Sequence, residues 1–142
     1  MRVFLDSNVL VDVVLQRKTG SFEEAIVILE ACEKRNLEGY ISPATIYLLA
    51  YILKKSGLKV ADIQSLIEKM LKFLIVLPIG NKEFSYSLTL DMADLEDAFQ
   101  LSSAYLEAGI QYLVTSNIKD FPRKHGKLVI IHPTEFVDKF IS

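Results

Sequence analysis

Short apolar runs alternate with amphipathic stretches along the whole chain. Val3, Phe4 and Leu5 form a continuous run, as a strand buried on both faces does, and Val9-Leu10-Val11 with Val13-Val14-Leu15 follow as a mostly buried helix. The first strand is expected over residues 2–5, and further runs predict strands over 40–42, 74–78, 112–115 and 128–131. Helices are expected over 22–35, 43–55, 61–73, 83–90, 94–107 and 133–140. Pro43 suits a first helical turn, and Ser56-Gly57 and Gly109 suit helix ends. This alternation predicts βαβ units, hence a three-layer α/β/α fold around a central, mostly parallel five-stranded sheet. No repeat or long linker divides the sequence, which reads as a single domain over residues 1–142.

Composition narrows the function classes. The chain is 51% hydrophobic and 24% charged, an ordinary globular balance. Sixteen Lys and Arg against 18 Asp and Glu leave a formal charge of −2, so no overall basic surface advertises nucleic-acid binding. Local basic clusters do occur at Arg17-Lys18, Lys54-Lys55 and in "PRKHGK" over 122–127. Each taken alone reads as solvated surface. Asp6 interrupts the N-terminal apolar stretch, so no signal peptide is expected, and the apolar run 46–53 is too short to span a bilayer. The single cysteine, Cys32, excludes an internal disulfide and fits a cytoplasmic protein.

The carboxylates then draw attention by where they fall. Asp6 lies where the first strand gives way to a helix, and "LVTSNIKDF" places Thr115, Ser116, Asn117 and Asp120 after the fourth strand. In a parallel sheet both segments share the C-terminal edge, where ligands collect. "DMADLEDAF" opens a helix with Asp94 and Asp97 three apart on one face. Structural readings compete at each place: Asp6 as an N-cap, Asp94 with Asp97 as a capping box, Asn117 as a turn cap. Carboxylates held together repel, and one takes up a proton unless a cation compensates. Asp, Ser, Thr and Asn oxygens suit Mg²⁺ or Mn²⁺. His125 and His132 lack any paired spacing for zinc.

"FLDSNVLVD", "DLEDAFQLSSAYLEAG" and "YLVTSNIKDF" resemble, in this order, the motifs of PIN-domain proteins, metal-dependent ribonucleases that include the VapC-type toxins. The resemblance implies that Asp6 is the first metal-binding acid and Asp97 the acid of the later helix, with Asp94 auxiliary. Asn117 stands at the post-strand position that is often Asp, with Asp120 the acid nearby. Ser7 and Thr115 would bring hydroxyls close to the metal or its waters. The expected catalytic set is Asp6, Asp97 and Asp120, with Asp94 and Asn117 joining them around the metal. One position departs from the family pattern. Six residues after Ser42, where a glutamate is usual, stands Leu48, and no acid occurs between Pro43 and Gly57.

The resemblance therefore implies an Mg²⁺- or Mn²⁺-dependent endoribonuclease acting on single-stranded RNA, as the toxin of a toxin–antitoxin pair. It also implies an antitoxin partner and a homodimer. Tyr47 and Tyr51, four apart on an apolar helix, are candidate interface anchors. The alternative is a PIN-like module that binds RNA or a protein without cleavage, which Leu48 and Asn117 favour. A haloacid-dehalogenase-like phosphatase would need a second Asp where Asn8 stands, and neither it nor a response-regulator receiver explains "TSNIKDF".

Overall fold

A computed structural model of the chain describes residues 1–18 and 21–141. Strand β1 (Arg2–Leu5) leads into helix α1 (Ser7–Val14), then α2 (Phe22–Glu33), β2 (Glu38–Ile41), α3 (Pro43–Lys55), α4 (Val60–Leu71) and β3 (Leu74–Val76). The second half continues with α5 (Asn81–Ser87), α6 (Leu95–Leu106), β4 (Ile110–Val114), a 3₁₀ turn (Ile118–Asp120), β5 (Lys124–His125), β6 (Leu128–Ile131) and α7 (Pro133–Phe140). No described helix is long and apolar enough to cross a membrane.

The strands form one sheet in the order β3-β2-β1-β4-β6-β5. All pairings are parallel except that of β5 with β6. Because side chains alternate along a strand, each strand divides its residues between two cores. Val3, Leu5, Ile41, Val114 and Ile131 turn to one face, where α1, α2, α3, α4 and α7 cover them. Phe4, Tyr40, Leu113, Leu128 and Ile130 turn to the other, under α6. Helix α5 packs on α6. The expected three layers are therefore present, and β1, with Val3, Phe4 and Leu5 fully buried, is the sheet's centre.

The sheet has a sixth strand beyond the five expected. Lys124 and His125 are too few and too polar to show a strand period, and they pair only because a hairpin returns the chain. Gly126 makes that turn with φ at 59°, and a Cβ there would meet the Tyr105 ring at 2.6 Å. Position 126 is thus held to glycine twice, by conformation and by space.

The topology decides where a site can form. From β1 the chain moves first to β2 and β3 on one side, then to β4 and β6 on the other. The strand order reverses at β1 and β4, and such a switch point opens a crevice at the strands' C-terminal ends. Leu5 pairs with Val114 there. The residues immediately beyond are Asp6 and Thr115.

Candidate active site

Backbone pairing places the first two groups. The Asp6 amide donates to the Val114 carbonyl at 3.0 Å, and the Thr115 amide donates to that of Ile131, also at 3.0 Å. The ladder thus runs one residue past each strand and sets the two side chains facing each other. Thr115 Oγ1 donates to Asp6 Oδ2 at 2.8 Å. Asn8 Nδ2 reaches the same carboxylate oxygen at 2.9 Å and Thr115 Oγ1 at 3.2 Å. The Ser7 amide caps the other oxygen, Oδ1, at 2.9 Å, so Asp6 is also the N-cap of α1.

The N-cap reading and the functional one therefore coexist in Asp6. Its side chain is 2% exposed. Burial pushes its pKa up to about 6, against the opposing pull of the Thr115 hydroxyl and the Ser7 N–H, and the charges of Glu96 and Asp94 push it further.

Asp97 is built differently. Asp94 is the N-cap of α6, and its Oδ1 accepts the Asp97 amide at 3.2 Å, one half of a capping box. The reciprocal half does not form, because Asp97 Oδ2 is buried with no hydrogen-bond partner. Burial raises this carboxyl to about 7, and the charges of Asp6, Asp94, Glu96 and Asp120 add to the effect. A buried acceptor without a donor is costly, and native structures keep few of them.

The remaining expected residues gather around this pair less tightly. Asn117, after β4, donates its amide N–H to Thr115 Oγ1 at 3.0 Å and its side-chain Nδ2 to Asp120 Oδ2 at 2.7 Å. Asp120 is exposed at the end of the 3₁₀ turn and reaches Asp97 through its charge. Ser7 is buried and contributes its backbone N–H to Asp6. Leu48 is half-buried and packs against the first core. Among the described residues, no three His, Cys, Asp or Glu side chains stand close enough together to form a ligand cluster. The structure leaves two buried acids, Asp6 and Asp97, that act on each other by charge, with Asp94 and Glu96 acting on both in the same way and Asp120 on Asp97.

Two residues gain a part that the sequence reading had not assigned. Asn8 joins Asp6, Thr115 and, through Oδ1, the Ser116 amide at 3.4 Å. Only the pairing of β1 with β4 makes a contact over 107 residues foreseeable. Glu96 acts on both buried acids by charge, and its place between Asp94 and Asp97 was the available signal. The histidines are engaged elsewhere: His132 accepts the Thr134 amide at the start of α7, and His125 lies 2.6 Å from the Tyr86 hydroxyl.

A metal ion is chemically suited to the pair. Mg²⁺ characteristically binds through one or two carboxylates and completes its shell with water, so two buried acids suffice. The orphaned oxygen of Asp97 and the carboxylate of Asp6 are hard oxygen donors of the kind such an ion takes.

Fold and site together describe an α/β protein with an acidic crevice at the switch point of its sheet. Residues 2–119 match the sequence model of the PIN domain, and the chain belongs to that family. None of the curated proteins matches it in sequence. Among solved structures it resembles a toxin–antitoxin complex from Klebsiella pneumoniae, with 24% identity, a TM-score of 0.66, and coverage of 92% of this chain and 97% of that one. It also resembles VapBC2 from Rickettsia felis bound to a DNA fragment from their promoter, with 23% identity, a TM-score of 0.64, and coverage of 93% and 98%. FitAB bound to an IR36 DNA fragment is similar at 16% identity and a TM-score of 0.56, over 92% and 94%. At these identities the likeness is one of fold.

Proposed function

We propose that this chain is an Mg²⁺- or Mn²⁺-dependent endoribonuclease of PIN toxin type, acting on single-stranded RNA in the cytoplasm. The observation that carries the reading is the unpartnered Oδ2 of buried Asp97, a carboxyl on which the charge of the fixed Asp6 acts. Asp6 and Asp97 would hold the metal, and Asp94, Asp120 and Asn117 would surround it through its waters. When bound, the ion would acidify a water and neutralise charge on the phosphate.

The chain's own residues do the positioning. Ser7, Asn8 and Thr115 hold Asp6 in one orientation, so its free lone pairs keep their direction. At neutral pH Asp97 keeps a proton on part of the molecules and releases it once its charge is compensated. Asp120, held by Asn117, is exposed to solvent and substrate.

The test is calorimetric titration of Mn²⁺ and Mg²⁺ into the native protein and into Asp6→Asn and Asp97→Asn. Saturable binding lost in both variants, with cleavage of single-stranded RNA lost alongside it, is expected. Absence of binding at millimolar metal, with and without RNA, would sink the nuclease reading. In its place would stand the second reading, a non-cleaving PIN module. Half-buried Leu48, supplying no acid, and Asn117, bonded to Asp120, are the observations that favour it.

The partner we infer is an antitoxin, since the similar structures are toxin–antitoxin complexes. Between α1, α2 and α4 runs an apolar trough of about 180 Å³, with Leu10, Val14, Leu29 and Met70 among its walls. A helix with one apolar face would fill it. Tyr47 and Tyr51, 77% and 60% exposed on α3, form a separate surface suited to a second copy of the chain. Native mass with and without the antitoxin separates the two arrangements.

A further inference from the structure

A cleft of about 530 Å³ opens between residues 89–93, α6 and the segment 119–122. Its volume lies within the range of pockets that take small organic groups. Its apolar lining is partly exposed Leu90, Met92 and Pro122 together with buried Leu101 and Phe121. Four of them, all except Pro122, belong to or pack against the second core. Asp120 also lines the cleft, and its charge acts on Asp97.

His125 also lines the cleft. Its ring is fixed by the Tyr86 hydroxyl and by edge contact with Tyr105 at 4.5 Å between centroids. Lys119 stands in this cleft and also in a smaller hollow beside Arg123. Apolar carbon, an imidazole and a lysine lining one cleft are complementary to a nucleotide. The base lies on carbon and the phosphate meets the ammonium.

Asp91 adds a preference. It is exposed in the cleft, and among the described residues no hydrogen bond or ion pair engages it. A carboxylate only accepts. Guanine presents two adjacent N–H donors on its Watson–Crick edge and matches a carboxylate in two bonds, whereas uracil presents one donor between two carbonyls.

We propose that this cleft holds an unpaired guanine nucleotide next to the scissile phosphate, with Asp91 reading the base edge and Lys119 holding its phosphate. The inference rests on the nuclease reading for the position of the scissile bond. Binding in the cleft itself does not need metal. Only an unstacked base can enter, which restricts the ligand to single strands.

The experiment measures fluorescence anisotropy of labelled hexanucleotides, CACGAC and CACUAC, with the full chain in EDTA. The guanine strand is expected to bind about tenfold more tightly. Asp91→Asn should remove that preference with little change in affinity for the uracil strand. Lys119→Ala should weaken both strands. Met92→Trp, which fills the cleft, should weaken both by tenfold or more; Lys119→Ala, at an exposed position, serves if the tryptophan variant does not fold. Equal binding of the two strands by the native chain, or a preference that survives Asp91→Asn, would overturn the proposal. Cleavage of the same strands with Mn²⁺ separates the two readings. Cleavage indifferent to Asp91 and Met92 defeats the cleft alone, whereas cleft-dependent binding without cleavage defeats the nuclease reading alone.

Discussion

Asp6 and Asp97 are both buried carboxyls with raised pKa values, yet their surroundings differ in kind. Asp6 receives a backbone N–H, an amide N–H and a hydroxyl. Asp97 keeps an oxygen that nothing in the described structure satisfies. The first is a finished structural element that also faces the crevice. The second is a group whose surroundings lack a positive charge. The contrast teaches that position in the crevice and completeness of bonding are separate properties, and that the incomplete group is the better guide to what binds there.

The sharpest way to break the comparison is to delete each carboxyl. Asp6→Ala leaves three buried or part-buried donors without their acceptor and removes the cap of α1. It is expected to cost about 3 kcal/mol, or roughly 10 °C in Tm. Asp97→Ala removes an acceptor that has no donor and should cost less than about 1 kcal/mol in metal-free protein. Urea denaturation of both variants in EDTA checks this. Equal losses would mean that Asp97 is bonded in solution.

Metal should act on the second acid more than on the first. Saturating Mn²⁺ is expected to raise the native Tm by several degrees, corresponding to about 2.7 kcal/mol at a hundredfold excess over Kd. EDTA should reverse the rise. In Asp97→Asn the rise should vanish without any loss of metal-free Tm. A rise that survives this substitution would place the cation elsewhere.

How much of this was legible beforehand follows from what is local. The strands over 2–5 and 128–131 and the helices over 43–55 and 133–140 appear at the expected bounds, because each carries its own period or a proline at its start. The β5 pairing was not legible, because two polar residues show no period and a hairpin partner is a tertiary fact. Asp6 was legible as an edge residue from the strand–helix alternation alone. Asn8 and Thr115 as its holders were not, since their meeting depends on which strand lies beside β1. Asp97 was the hardest, because spacing alone cannot tell a completed capping box from half of one.

Thr115→Val tests the finished side more gently. The variant keeps shape but removes the donor to Asp6 Oδ2 and the acceptor used by Asn8 and Asn117. A loss of about 1–2 kcal/mol is expected, with the Asp6 pKa rising further because the hydroxyl that lowered it is gone. Carboxyl carbon NMR across a pH series reads that shift. An unchanged Asp6 titration would show that the hydroxyl does not stabilise its charge.

The smallest effect has the most diagnostic sign. Both acids bind their protons more tightly in the folded chain, Asp6 with a pKa of about 6 and Asp97 of about 7, against 3.8 for the free group. Between about pH 4 and 7 the folded state therefore holds more protons than the unfolded one, so this contribution to stability falls as pH rises. Below pH 3.8 both states are protonated, and above about 7 both are ionised, so the contribution levels off at each end. Asp97→Asn removes the larger share of that slope. It should be slightly more stable than the native protein at pH 7.5 in EDTA, by a few degrees in Tm, and equal to it near pH 3.5. Saturating Mn²⁺ should reverse the order at pH 7.5, because only the native chain gains the cation. A variant less stable than native at pH 7.5 without metal would mean that the Asp97 carboxylate already has a partner, and the contrast with Asp6 would fall.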